Sequence, residues 1–155
     1  MVLGGSVLDM QKISDRLAIQ ELVVAYATAV DNRNFDALDD VFVEEAYIDL
    51  TAFGGSAGKL ADMKEWLTQS MAPISASQHL MGNPEIHLDG DRATGRIMCY
   101  NALLLPVEDR EPTVTLLGMW YIDEYVRTPG GWRIVKRGQQ RSWAHGLPEP
   151  DPATH

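Results

Sequence analysis

Asp31 and His79 are the residues whose types and surroundings most suggest chemistry. Asp31 closes the stretch VVAYATAVD, in which an apolar helix-forming run reaches a carboxylate directly after Ala29 and Val30. A carboxylate at a helix C-terminus faces the negative end of the macrodipole. Burying it without a partner costs roughly several kcal/mol. His79 lies in SASQHLMGN, at the start of a strand-like segment with small or apolar neighbours. A carboxylate that accepts the Nδ1–H of an imidazole fixes its tautomer and stabilises its cation. The freed Nε2 can then take a proton near neutral pH. Pairing the two would give Asp31 the partner it lacks and make His79 a general base. Each also has a plainer reading: Asp31 as a turn or capping residue, His79 as a hydrogen-bonded structural histidine. Tyr26, Met98, Leu103, Met119 and Trp120 likewise read as core, and Arg137 as a solvated strand charge.

Other chemistries lack their residues. GGSAGKL ends like a phosphate loop, but Phe53 stands where the first glycine is needed and Leu60 where Ser or Thr is needed. There is no dinucleotide fingerprint and no nucleophile elbow. The four His and single Cys show no metal-ligand spacing. No metal and no cofactor are therefore expected. The formal net charge of −9, from 22 acidic and 13 basic residues, argues against a nucleic-acid partner. The basic stretch WRIVKRGQQR is strand-like, so its charges divide between two faces. No apolar run approaches the roughly 20 residues of a membrane span. MVLGGSVLDM lacks the basic region of a signal peptide, and Cys99 is alone. A cytoplasmic protein with no membrane partner is expected.

The length of 155 residues suits one domain, expected over 1–147, followed by a Pro-rich tail over 148–155. A first helix should start at about Asp9 or Ser14, with Ser6 and Asp9 fitting a capping pattern, and end near Val30. Ile13, Leu17, Val24 and Thr28 form one stripe on it, and Ile19, Leu22, Tyr26 and Val30 another. Two stripes predict near all-round burial of its C-terminal half. DNRN reads as a turn, with Asn34 capping a short helix through FDALDDVF. AYIDLTAF alternates like a strand, with Ile48, Leu50 and Ala52 on one face. GGSAG reads as a loop, and KLADMKEWLTQSM as a helix stopped by Pro73. Two hairpins follow, around Asp89-Gly90 and around Pro129-Gly130-Gly131. Early helices and a later antiparallel meander make an α+β fold. A sheet curved around the long helix would leave a conical, ligand-sized cavity.

DRLAIQELVVAYATAVDNRNFDALDDVF, then AYIDL, SQHLMGN and YIDEYVRTPGGWRIVKR, resemble the SnoaL-like branch of the nuclear transport factor 2-like superfamily, over roughly Ser14 to Trp143. Within that branch the chain is similar to scytalone dehydratase, bile-acid dehydratase and hexachlorocyclohexane dehydrochlorinase. The resemblance implies a cone-shaped α+β barrel and a cofactor-free elimination run by an Asp-His pair, matched here by Asp31 and His79. It implies a pocket position for Tyr26, where the dehydrochlorinase has Lys, and a leaving-group role for Arg137. Leu50 departs from the pattern. The dehydratases carry Tyr there and the ketosteroid isomerases their Asp base, so Leu50 argues against the isomerase mechanism. Leu103 stands at the second His of scytalone dehydratase, and Asn101 on the same strand face could supply a polar contact.

Two function classes follow. One is a dehydratase-like lyase acting on a small, mainly apolar ring compound such as a steroid, terpenoid or polyketide. Its pocket would be lined by Leu50, Met81, Met98, Asn101, Leu103, Met119 and Trp120. The other is a non-catalytic binding or assembly protein of the same fold, or a polyketide cyclase or isomerase. The Asp-His pair separates them, because a binder has no need for an oriented base. The outer sheet face carries Val, Ile, Trp and Tyr that one domain cannot cover, which predicts a homo-oligomer, a dimer or trimer.

Overall fold

The computed structural model describes residues 9–147. Ser6 and the Pro-rich tail fall outside them. Helix α1 spans Met10–Asp31. Asp9 caps it, its carboxylate accepting the Lys12 backbone N–H at 2.8 Å, so Ser14 lies inside the helix. Only one apolar stripe is buried: Ile19, Leu22, Tyr26 and Val30, joined by Val23, Ala27 and Ala29. Leu17 and Val24 are 55% and 56% exposed, and Thr28 is exposed too. The expected all-round burial is not found, because the sheet packs against one side of α1.

A 3-10 helix, Phe35–Asp40, follows, and Asn34 makes no side-chain cap to it. The remaining elements are β1 (Phe42–Asp49), a 3-10 turn (Thr51–Phe53), β2 (Ala57–Lys59), α2 (Leu60–Met71), β3 (Ser77–Asp89), β4 (Arg92–Val107), β5 (Arg110–Thr128) and β6 (Gly131–His145). Strand β1 begins and ends earlier than its alternation predicts. The Asp49 carboxylate accepts from the Thr51 N–H at 3.0 Å and the Thr51 hydroxyl at 2.6 Å. This local competition with the ladder turns the chain out of the sheet before Leu50. The expected GGSAG loop is shorter than its composition suggests: Ala57 and Gly58, its last two residues, already belong to β2, which pairs with β1. A hairpin missing from the sequence reading joins β4 to β5, with Val107 opposite Arg110 and Asp109 at φ 57°. No glycine marks it, but Asp tolerates the left-handed conformation.

The sheet order is β2-β1-β6-β5-β4-β3. All pairs are antiparallel except β1–β6, which is parallel. The sheet is therefore mixed rather than wholly antiparallel. It also stays open, with β2 and β3 as edges, rather than closing into a barrel. Register shifts at Gly82/Glu85, Gly118/Met119 and Glu124/Tyr125 bend the long strands. This α+β architecture suspends one end of α1 over β3.

The other end of α1 is clasped by Asp15. Its carboxylate takes both terminal nitrogens of Arg127 at 2.8 Å, the Trp132 indole N–H at 3.1 Å and the Gln11 amide at 3.0 Å. Arg127 also donates to Asp91 at 2.8 Å. The Arg127 hydrogen bonds hold the Asp15 carboxyl well below the usual carboxylate range, against the upward push of burial. A depressed carboxylate contributes stability above its unfolded pKa of about 4 and loses it as pH falls through the folded value. Asp15→Asn should therefore melt earlier than wild type at neutral pH. The gap should narrow as pH falls below about 4. Melting curves across pH check this; a constant gap would show that charge has no part in the clasp.

Candidate active site

Asp31 is the last residue of α1, and His79 the third of β3. The His79 ring Nδ1 lies 2.7 Å from Asp31 Oδ1, and its backbone N–H donates to Asp31 Oδ2 at 2.8 Å. The Ser77 hydroxyl donates to Oδ1 at 2.9 Å. The His79 side chain is 4% exposed and that of Asp31 19%. Burial pushes the Asp31 carboxyl up. The His79 ring and backbone hydrogen bonds, the His79 charge and the Ser77 hydroxyl outweigh it, and the carboxyl sits below its ordinary value. An ionised carboxylate can only accept, so the 2.7 Å contact requires the proton on Nδ1. In neutral His79 the lone pair is then on Nε2, which makes no hydrogen bond among the described residues.

His79 lines a cavity of about 240 Å³ between α1, α2 and the sheet. Helix α1 contributes Tyr26 and Val30; α2 contributes Trp66, Leu67, Ser70 and Met71; the loop after β1 contributes Leu50 and Phe53. The sheet contributes His79, Asn101, Leu103, Leu117, Tyr121 and Gln139. At Gly55 a Cβ would stand 2.3 Å from the Leu50 carbonyl oxygen and 3.1 Å from the Trp66 ring, so only glycine lets this loop close against α2. A larger depression, about 800 Å³, surrounds the α1 C-terminus and the loop after α2. It adjoins the cavity at Met71 and Ile74 and touches the pair through Asp31 alone.

Leu50, Asn101 and Leu103 line the cavity as expected, but four expected lining residues do not. Met98 and Trp120 are cross-strand partners on the opposite face of the sheet. Arg96 stacks on the Trp120 ring at 4.0 Å, and the Asn83 amide approaches the Met98 sulfur at 3.7 Å. Met119 is in the core, 1% exposed, opposite Cys99. Met81 lies between β3 and the outer flank of α1, beside Val24 and Thr28. Strand alternation already separates Met98 and Trp120 from the lining, since Trp120 cannot share a face with Leu117 and Tyr121, nor Met98 with Asn101 and Leu103. The same parity marks Tyr121, which the sequence reading missed.

Arg137 lies behind this lining rather than in it. It is 0% exposed and grips Asp123 through Nε at 2.8 Å and Nη2 at 2.6 Å, while the Tyr125 hydroxyl donates to Asp123 at 2.7 Å. Its guanidinium carbon is 4.2 Å from the Tyr26 ring centre and 4.3 Å from that of Tyr121. The expected solvated charge is thus a buried cation packed into the corner between two phenol rings, which meet each other edge to face at 5.5 Å. Burial raises the Tyr26 phenol above its ordinary value although the Arg137 charge opposes it, and burial raises Tyr121 further. Both phenols keep their protons near neutral pH. The Tyr26 and His79 rings meet edge to face at 6.2 Å. Burial also pushes the Cys99 thiol up to about 12, which leaves no thiolate nucleophile there. Among the described residues no three His, Cys, Asp or Glu side chains gather to hold a metal ion, and no helix is long and apolar enough to cross a membrane.

Arg33 completes the support of the pair. It takes the left-handed conformation, φ 58°, at the turn after α1, which costs a non-glycine residue about 1–2 kcal/mol. Its guanidinium donates to the Asp31 carbonyl at 2.9 Å, the Ile74 carbonyl at 2.8 Å and the Ser77 hydroxyl at 2.8 Å. Accepting from Arg33 turns the Ser77 proton toward Asp31. The cation also answers the dipole problem of a carboxylate at a helix C-terminus. Arg33→Gly would relieve the backbone strain while removing the clasp. If the pair acts as a base, Arg33→Gly and Arg33→Ala should each lower kcat about ten- to hundred-fold with KM little changed, the glycine variant melting higher. Rate losses that rank with melting temperature would reduce Arg33 to a structural staple.

A SnoaL-like domain model matches residues 11–138. The chain belongs to the SnoaL-like domain family. An uncharacterized protein of Mycobacterium tuberculosis is 45% identical over 136 residues, 88% of this chain and 91% of that one. A crystal structure from Novosphingobium aromaticivorans, provisionally called an aromatic ring hydroxylase, is 31% identical, covers 87% of this chain and 94% of its own, and superposes with a TM-score of 0.78. A hexachlorocyclohexane dehydrochlorinase shares the fold of this SnoaL-like chain at 20% identity, with a TM-score of 0.77 and 94% and 99% of the two chains covered. A protein of Novosphingobium aromaticivorans provisionally called a scytalone dehydratase shares it at 17% identity, with a TM-score of 0.75 over 92% and 95%.

Proposed function

We propose that this protein is a cofactor-free lyase that eliminates water, or another small leaving group, from a small ring compound. The observation that carries the reading is the 2.7 Å Asp31–His79 contact at the wall of a mainly apolar cavity. His79 Nε2 takes a proton from a carbon next to an activating group. The C–H electrons form the new double bond, and the bond to the leaving group breaks. Tyr26, still protonated at neutral pH, lines the same cavity and can hand its proton to a departing hydroxyl, which leaves as water. The Arg137 cation behind the ring stabilises the phenolate that remains. Solvent returns the proton from His79 to Tyr26. Fold neighbours named as dehydratase and dehydrochlorinase fit this class of reaction.

The test is ultraviolet detection of the conjugated alkene formed from a panel of cyclic β-hydroxy ketones, with and without a chelator. Wild type should form it under both conditions and His79→Ala should not; equal rates for the two proteins would end the reading. The reading includes self-assembly through the outer sheet face, where Leu80, Tyr100 and Trp143 are 69%, 48% and 39% exposed. Light scattering at micromolar concentration should exceed the 17.2 kDa of one chain; a monomer mass would rule the assembly out.

A further inference from the structure

Two amides line the cavity with side-chain oxygens that have no hydrogen-bond partner among the described residues. Asn101 is 8% exposed, and its Oδ1 is buried without a hydrogen-bond partner among the described residues. Gln139 Oε1 is buried and unpartnered in the same way. Both residues line the 240 Å³ cavity. Leaving a buried acceptor unpaired is costly, so such groups mark a missing partner. Asn101 stands opposite His79 on β3 and Leu117 on β5, and Gln139 stands opposite Tyr121 on β5. Leu117 and Tyr121 are four positions apart, roughly 13 Å of strand. The two amides therefore sit toward different ends of the cavity, Asn101 beside the base and Gln139 beyond the phenols.

We propose that Asn101 and Gln139 are a specificity pair that selects a one- or two-ring substrate carrying an oxygen function near each end. The inference rests on the cavity assigned above and narrows its substrate class. An amide offers an oxygen acceptor beside an N–H donor, so each can engage a hydroxyl or a ketone. A carbon–chlorine or carbon–hydrogen group offers no donor to the buried oxygens. Size narrows the class again, because about 240 Å³ falls below the usual range of roughly 300–1,000 Å³ for small-molecule sites. A hydroxylated bicyclic ring fits within this volume, whereas a four-ring skeleton would have to extend out of it, toward the adjoining depression. Polyhalogenated rings match the apolar walls but leave both amides unpaired.

Binding, rather than turnover, tests the proposal. The probes are a dihydroxynaphthalene with one hydroxyl on each ring and the dichloronaphthalene substituted at the same carbons. Dissociation constants are measured by equilibrium dialysis for wild type, Asn101→Leu and Gln139→Leu. Wild type should bind the diol at least about ten-fold more tightly than the dichloride, the scale of one buried acceptor left unpaired. Each leucine variant should lose about ten-fold for the diol and hold or gain affinity for the dichloride, which also shows that the variant is folded. Equal binding of the two probes by wild type, or parallel losses for both probes in the variants, would overturn the proposal. Turnover without discrimination would leave the lyase reading standing and remove this one; discrimination without turnover would do the reverse.

Discussion

His79→Ala is expected to lower turnover by about two to four orders of magnitude, the range of general-base catalysis. Asp31→Asn should keep the fold, because the amide oxygen in the Oδ2 place still accepts from the His79 backbone N–H, while its NH2 in the Oδ1 place can donate to the Ser77 hydroxyl oxygen and to His79 Nδ1. It should nevertheless cost a rate of comparable kind, since an amide that donates to Nδ1 moves the imidazole proton to Nε2 and blocks the base. If the two residues act as one unit, the double variant should be little slower than His79→Ala alone. Steady-state kinetics of the four proteins, with melting curves beside them, measure the coupling. Additive losses, or losses that follow melting temperature, would return Asp31 to a cap and His79 to the core.

Arg137→Met should be the most destabilising single change in the site. It leaves Asp123, itself 0% exposed, with the Tyr125 hydroxyl as its remaining partner. Breaking a buried ion pair from one side costs about 3–5 kcal/mol, a large share of the roughly 5–15 kcal/mol that holds a domain together. Removing both charges in Arg137→Met/Asp123→Leu should recover most of that loss, because no unpaired ion remains. Activity should not recover with it, since Tyr26 loses the cation 4.2 Å from its ring. Denaturant unfolding and turnover of the single and double variants separate the two effects. A double variant that regains both stability and rate would confine Arg137 to holding the fold.

The Asp-His pair was legible in the sequence because Asp31 and His79 each invited a partner and the family resemblance matched them to an Asp-His pair. A carboxylate after an apolar helix needs a donor, and a histidine among small neighbours needs an orienter. The pocket walls were less legible. Residue type suggested Met98 and Trp120, but strand parity puts them on the outer face and Tyr121 on the inner one, and the register across β4 and β5 sets Met98 opposite Trp120. Arg137 read as solvated because Asp123, fourteen positions earlier, comes beside it only when the β5–β6 hairpin forms. Arg33 and Ser77 carry no motif. Their contacts with Asp31 exist because the loop after α2 delivers β3 to the end of α1. The parallel β1–β6 pair was hidden for a related reason: no local pattern records which distant strand will lie beside β1.

The tautomer of His79 tests the central claim most directly, and it needs no substrate. Nitrogen NMR of histidine-labelled protein, titrated through the neutral range, distinguishes the two neutral imidazoles. The Asp31 geometry predicts that neutral His79 carries its proton on Nδ1, with Nε2 bare, and that Asp31→Asn moves the proton to Nε2. A wild-type His79 that is neutral with its proton on Nε2, or a tautomer unchanged by Asp31→Asn, would contradict the role of Asp31 as orienter and of His79 as base.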